Sequence, residues 1–347
     1  MNSSVIKVVA GGGKTTESEA ILKRHSNGLY LAFNQSVVKE LRLKGYMCKT
    51  IDSLFSSYII PKLISLVPLI NDGSIVCYQE VENLPINLKG IGNITIDERG
   101  NIYNKGALTK FNLDIPHYSL REMKREKNYS LINYIFSEDK LQLTHRLRSD
   151  LSSYLIHKFP QEIIFLLKSR FSYVIFDESQ DLNKHLELLA KSIYESEIKS
   201  YFLGDEYQNI NGGGCWFEGL SFTKKLLHSY RCPENNCKWI RDELNIEIYG
   251  EDRSSSGVNR IKIEKTMQYD DGNRVLLYAA RRGKDISSII DSWKGNKMTI
   301  KSAKGRTLEH DIVIVGISLN YRLYYTAITR TKKSVYTTIE KINFSSK

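Results

Sequence analysis

Close to its start the chain reads Ile6-Lys7-Val8-Val9-Ala10-Gly11-Gly12-Gly13-Lys14-Thr15-Thr16. An apolar run, three glycines, a lysine, two hydroxyls and then a helix-period segment are the parts of a phosphate-binding loop. Glycines let the backbone wrap a β-phosphate, and the helix N-terminus adds positive potential. Lys14 can neutralise β- and γ-oxygens, and Thr15 can ligate Mg²⁺. The spacing rule G-x-x-x-x-G-K-[ST] is met except at its first glycine, where Val8 stands. A structural glycine turn fits this stretch as well, so other residues must decide between the two.

The strongest of these is Tyr173-Val174-Ile175-Phe176-Asp177-Glu178-Ser179-Gln180-Asp181. A buried strand ending in adjacent carboxylates is costly unless they are solvated or hold a cation. Asp177 can hold Mg²⁺ and Glu178 can take a proton from an attacking water. An acidic helix cap explains one carboxylate but not the whole run. A second apolar strand ends in Gly204-Asp205-Glu206-Tyr207-Gln208. Gln208 can donate and accept at once, which suits sensing of a γ-phosphate. Tyr230-Arg231 puts an aromatic beside a permanent cation, a pair suited to base stacking and phosphate contact. Arg330, expected on a helix, is a candidate arginine finger for the phosphoryl-transfer transition state.

These residues need a frame that brings strand ends together. Strand-like and helix-like segments alternate through residues 5–58: VIKVVA, TTESEAILKRHS, GLYLAF, SVVKELRLKG. Short apolar strands with loops at their carboxyl ends predict a parallel α/β sheet. Residues 61–170 interrupt the rhythm with a hairpin-like NITIDERGNIY and basic helical segments such as SLREMKREKN and KLQLTHRLRSDLSSYLIHKF. The alternation then returns, and a second α/β unit runs from about residue 229 onward. EDRSSSG reads as a mobile loop, and no internal repeat stands out.

With 347 residues there is room for about two domains. The net charge of +11 favours polyanionic partners, and residues 251–333 carry 17 Lys and Arg against 9 Asp and Glu. A solvated basic face is the plain alternative. Five cysteines without paired metal spacing argue against zinc and for a reducing intracellular compartment. The apolar run YIIPKLISLVPLI is short and broken by Pro61, Lys62 and Pro68, so no membrane span is expected. The glycines come too early to leave space for a signal peptide.

In order, AGGGKT, LYLAFNQS, CKTIDSLF, VIFDESQD, FLGDEYQ, HSYRCP, TIKSAKGRTLE and YYTAITRTK resemble the motifs of superfamily 1 helicases. The UvrD/Rep group looks nearest, and LYLAFNQS with CKTIDSLF is similar to its F-box DNA helicase branch. The resemblance covers residues 5–60 and 172–340. It implies two RecA-like domains with parallel sheets: residues 1–60 and 171–228 as the first, 61–170 as a mixed, mainly helical insertion in it, and 229–347 as the second. It implies an ATP (or other NTP) hydrolase using Mg²⁺ and acting on single-stranded DNA or RNA, with 3′-to-5′ travel. Gly11, Gly12, Gly13, Lys14, Thr15 and Thr16 would line the phosphates, with Thr15 and Asp177 on Mg²⁺. Glu178 would be the general base, and Gln208 would couple the γ-phosphate to nucleic acid. Tyr230 would stack on the base, Glu309 would meet the sugar, and Arg231 and Arg330 would close on the γ-phosphate. Phe33, Asn34, Thr50, Trp216, Ser302 and Lys304 match nucleic-acid contact positions. Phe33 and Trp216 also read as core aromatics.

The departures from the family pattern are specific. No glutamine motif precedes the glycines, which leaves base preference open. Asp52 stands where the family has histidine in its T-x-H element, and a carboxylate there would repel a phosphodiester. Asn211 stands in place of a tyrosine, and Trp216 comes a few residues late. The large insertion expected between VLLYAARRG and MTIKSAKG is missing, an economy that resembles the compact helicases of RNA viruses, as does KGRT. Two other classes remain on sequence grounds: a nucleic-acid-stimulated NTPase that remodels or transports nucleoprotein, and a binding scaffold without chemistry. A nucleotide kinase shares the glycine loop but has no use for D-E-S-Q-D or T-R-T-K.

Overall fold

The computed structural model describes residues 2–33, 35–63, 145–210, 214–280 and 283–344, together with short strand segments between residues 77 and 143. The chain is α/β and forms two compact units. One comprises Met1–Asn2, Asn27–Val174 and His185–Lys199; the other comprises Ser3–Ser26, Ile175–Lys184 and Ser200–Lys347.

The second of these units contains two sets of parallel strands. Ser3–Val8 lies between Lys199–Gly204 and Lys224–Leu226, parallel to both. Further along, Val258–Arg260, Val335–Thr337, Ile312–Val315, Val275–Tyr278 and Lys297–Thr299 form a five-stranded parallel sheet in that order. Side chains alternate between faces along a strand. Val275, Leu277, Ile312 and Ile314 therefore enter one core with Cys237, Ile240 and Leu244 of helix Glu234–Leu244 and with Tyr324, Tyr325 and Ile328 of helix Tyr321–Ile328. Leu276, Val313 and Val315 enter another with Ile286, Ile289 and Ile290 of helix Lys284–Ser292. Burial on both faces is why these strands read as unbroken apolar runs.

The other unit pairs Gly28–Ala32 with Cys48–Thr50 in parallel. Helix Gln35–Leu43 connects them, and Gly45 at φ 88 reverses the chain after it. Gly28 has no room for a side chain: a Cβ there would lie 2.0 Å from the Tyr173 ring. The described part of 61–170 holds helices His145–Lys158 and Pro160–Arg170 and also strands. Among them, Gly92–Asp97 pairs antiparallel with Ile102–Asn104, the expected hairpin, and Asn83–Leu88 extends it on the other side. The expected helix at SLREMKREKN lies outside the described residues.

Two expectations are corrected. The stretch 251–257 is anchored: Arg253 donates to the carbonyls of Arg231 and Lys332 at 3.1 and 2.9 Å, and Asn235 donates to that of Ser256. Arg330 lies two residues beyond its helix, where its N–H bonds to the Ala327 carbonyl three residues back and tightens the last turn. Among the described residues, no helix is long and apolar enough to cross a membrane.

Candidate functional site

Strand Ser3–Val8 ends in the glycines, and helix Lys14–Arg24 begins directly after them. Gly11 and Gly13 have φ of 74 and 83, values that glycine adopts without strain. Gly13 caps the helix with no side chain, so the first helical N–H groups have no side-chain cap in front of them. Gly11 is required for a second reason: a Cβ there would meet the Arg231 Cβ at 2.6 Å and the Ser229 hydroxyl at 2.8 Å. Val8 is fully buried and packs beneath Gly12, where a Cβ would lie 3.0 Å from its Cγ1. The valine in place of the first motif glycine is thus a packing residue.

Lys14 points at the end of strand Tyr173–Phe176, where its Nζ donates to Glu178 Oε2 at 2.8 Å. Burial alone would lower the lysine's pKa, but Glu178, Asp177 and Asp205 together hold it raised. The same pairing works in reverse on Glu178. Burial pushes its carboxyl up, yet Lys14 and the Gln180 amide outweigh this and hold it below the usual carboxylate range. Gln180 Nε2 donates to Glu178 Oε2 at 2.6 Å, while its Oε1 accepts from the Asp205 N–H at 3.0 Å. Gly204 makes that reach possible, since a Cβ there would sit 2.6 Å from Gln180 Oε1. Glu178 itself has φ 51, a left-handed conformation uncommon for a residue with a side chain.

Asp205 is fully buried, and burial raises its pKa. Its Oδ2 accepts from Gln208 Nε2 at 2.7 Å and from the Tyr325 hydroxyl at 2.8 Å. Gln208 Oε1 in turn accepts from Arg330 at 3.1 Å. The Arg330 guanidinium is buried and also donates to the Thr326 carbonyl and the Thr329 hydroxyl. Burial, then the charge of Arg231, lowers its pKa to about 10. Arg231 reaches the Thr329 carbonyl at 3.5 Å. Tyr230 stands beside the glycines, its N–H donating to the Gly11 carbonyl, and its ring is 65% exposed, open to a stacking partner.

Lys14, Asp177, Glu178, Asp205, Gln208, Arg231 and Arg330 thus belong to one compact unit, with a cation and three carboxylates interacting beside the glycine turn. Such a site can hold an anion's oxygens between Lys14, the helix N-terminus and two arginines. Among the described residues, no group of three or more His, Cys, Asp or Glu could hold a metal unaided. Thr15 and Asp177 supply oxygen donors of the kind Mg²⁺ accepts, but they fit it only when phosphate oxygens complete the shell.

The remaining sequence candidates are dispersed. Lys304 donates to both oxygens of Asp181, at 2.5 and 2.7 Å, and to the Gln208 carbonyl at 2.7 Å. All three of its donor positions are occupied by protein. Ser302 is exposed, with its N–H and hydroxyl both on Thr299. Trp216 is half-buried, edge-on to Phe202. Glu309 is exposed and pairs with Lys332. In the other unit, Phe33 is 40% exposed at a strand end, and Thr50 caps the helix that follows it. Asp52 pairs with Arg148 at 3.5 Å, which balances the carboxylate that replaces histidine. Asn34 and Asn211 lie outside the described residues. Sequence reasoning assigned nothing to Gln180, Asp181, Asp205, Ser229 or Tyr325, although each lies inside a motif string. It also passed over a repeated tetrad. Thr50-Ile51-Asp52-Ser53 and Thr299-Ile300-Lys301-Ser302 each end a strand, with the threonine hydroxyl accepting from the serine N–H at 3.1 Å.

No family model and no curated protein matches the chain. Among solved structures it is similar to a PRRSV helicase, at 13% identity and a TM-score of 0.46, covering 97% of this chain and 52% of that one. It is also similar to arterivirus nonstructural protein 10 (helicase), at 13% identity and a TM-score of 0.45, covering 96% and 59%. A complex of arterivirus nonstructural protein 10 (helicase) with DNA gives 14%, a TM-score of 0.46, and coverage of 97% and 60%. The chain spans between half and two thirds of the length of these structures.

Proposed function

We propose that the chain is an NTP-hydrolysing motor on single-stranded nucleic acid, built as a superfamily 1 helicase of the UvrD/Rep type. The observation that carries this reading is the joining of Lys14 to Glu178, and of Gln208 to Arg330, beside a glycine turn that opens a helix. On this reading residues 1–60 and 171–228 form the first RecA-like domain, 61–170 its insertion, and 229–347 the second.

Lys14 neutralises Glu178 in the folded protein. Phosphate oxygens compete for the ammonium, and the carboxylate thus released accepts a proton from water. The water oxygen bonds to the γ-phosphorus as the bond to the β–γ bridging oxygen breaks, giving NDP and phosphate. Arg330 and Arg231 offset the charge that spreads over the transferred group. Thr15 and Asp177 would hold Mg²⁺, which supplies further charge neutralisation at the β- and γ-oxygens. Gln208, fixed between Asp205 and Arg330, registers the γ-phosphate. Tyr230 offers the base a stacking face without a hydrogen-bond code, so the reading extends to several NTPs. The 3′-to-5′ direction rests on the motif resemblance alone. The reading includes an intracellular, reducing setting, supported by an odd number of cysteines without paired metal spacing.

A second reading has one observation in its favour. Between strands Val275–Tyr278 and Lys297–Thr299 the chain has space for helix Lys284–Ser292 alone, which leaves out the insertion of the larger family members. An NTPase that remodels nucleoprotein without processive unwinding fits that economy.

The deciding assay is NTP hydrolysis with and without single-stranded DNA and RNA, with Lys14→Ala as the blank. Stimulation by one strand type that is lost in the variant supports the motor and names its track. Activity no higher than the variant's on every substrate removes the enzyme reading.

A further inference from the structure

Ala10, the residue before the glycines, has both backbone groups held by side chains from far along the chain. Its carbonyl accepts from the Ser229 hydroxyl at 2.6 Å. Its N–H donates to the Tyr325 hydroxyl at 3.1 Å, across 315 residues of sequence. That hydroxyl spends its proton on Asp205 Oδ2, the oxygen that also receives Gln208 Nε2. A phenol has one proton to give, and here both its donor and its acceptor capacity are engaged. Tyr325 is fully buried, and its ring lies edge-on to Tyr207 at 5.6 Å. Five residues on, the same segment supplies Arg330, which donates to the other end of the Gln208 amide.

We propose that Tyr325 is a positioning residue that makes the glycine loop, Gln208 and Arg330 respond as one. Its hydroxyl fixes the loop at Ala10 and fixes Asp205, which in turn fixes the amide orientation of Gln208. A displacement of the loop by incoming phosphates therefore reaches Gln208 and Arg330 through a single oxygen atom. The proposal rests on the hydrolase reading for its role in turnover, but the coupling itself is a property of the protein alone.

The test is Tyr325→Phe in the full chain, which keeps the ring and removes the hydroxyl. Two measurements are made. Hydrogen exchange followed by mass spectrometry is expected to quicken in peptides covering residues 8–13 and 204–208, and to stay unchanged over 284–293. Turnover is expected to fall roughly 10- to 100-fold in kcat, the scale of a misplaced catalytic group, with KM for NTP within about threefold. Uniform quickening of exchange across the unit, or none in either loop, overturns the proposal. Exchange needs no turnover, so a wild-type chain that hydrolyses nothing removes the hydrolase reading while the exchange result still decides the coupling. Should Tyr325→Phe fold poorly, Asp205→Asn approaches the same oxygen from the other side. Matching exchange changes in both loops support the link, and changes confined to 204–208 refute it.

Discussion

Replacing Lys304 with methionine keeps the aliphatic stem and removes only the ammonium. In the folded protein that ammonium lies 2.5 and 2.7 Å from the two oxygens of Asp181, with both side chains about 15% exposed. Removing one partner of a buried pair costs about 3–5 kcal/mol. The expected loss in Lys304→Met is about 3 kcal/mol at pH 7.5, a large share of the 5–15 kcal/mol that holds a typical domain. The pH dependence has a definite sign. Burial already raises the Asp181 pKa against the pull of Lys304, and losing the lysine raises it further. Between the unfolded value near 3.9 and this higher folded value, the folded chain holds the extra proton. Stability of the variant thus falls as pH rises through that window and levels off above it, so its deficit is smallest near pH 4. Urea unfolding followed by tryptophan fluorescence at pH 4.5 and 7.5 measures this. Lys304→Met/Asp181→Asn, which removes both charges, should recover more than half of the loss. A Lys304→Met chain within about 1 kcal/mol of wild type at both pH values would refute the reasoning. A nucleic-acid salt dependence reduced by about one ion would then mark Lys304 as a phosphate contact.

Three further predictions concern two residues. Glu178→Gln should lower hydrolysis about 10²- to 10⁴-fold, the range for a lost general base, while nucleotide affinity by titration holds or tightens because Lys14 is released. Since Lys14 keeps Glu178 ionised below the usual carboxylate range, the wild-type kcat/KM should stay level as pH falls from 7 to 5. Gly28→Ala places a methyl group 2.0 Å from the Tyr173 ring, an overlap that something must yield to. A loss of about 1–3 kcal/mol or more in the unfolding midpoint is expected, and an unchanged midpoint would show that the ring is free to move.

The candidate site was legible wherever local sequence carries the chemistry. A strand, three glycines, a lysine and a helix are neighbours along the chain, so their geometry follows from backbone rules that act over a few residues. The carboxylates after Tyr173–Phe176 and the glutamine after Gly204 were legible for the same reason, since strand ends in a parallel sheet converge. What sequence could not convey is which side chain meets which across the unit. Lys304 reads as a basic contact for nucleic acid, but its three protein acceptors lie in two other segments. Gln180 reads as a spacer between acids, and becomes the link from Glu178 to Asp205 only once Gly204 admits it. Asp52 reads as a repulsive charge until Arg148 is found beside it. Arg330 leaves its helix where its N–H bonds three residues back rather than four, a choice no periodicity records. The T-I-x-S tetrad was visible as text, yet four residues carry too little pattern to register as a repeat without the cap they share.

The bond from Ala10 to Tyr325 also has a meaning in time. A ribosome adds about 5–20 residues per second, so residue 10 precedes residue 325, 315 positions later, by roughly 15–60 s. Throughout that interval the glycine loop is chemically complete but lacks the partner for its entering N–H. Strand Ser3–Val8, which leads into that loop, likewise has no partners until Lys199–Gly204 and Lys224–Leu226 have been made. A message broken between the codons for Glu178 and Tyr325 yields a polypeptide with Lys14 and Glu178 but without the tyrosine that joins Ala10 to Asp205. Such a fragment lacks Tyr325 and Arg330 together, so segment 321–330 is what completes the hydrogen-bond network around Asp205 and Gln208.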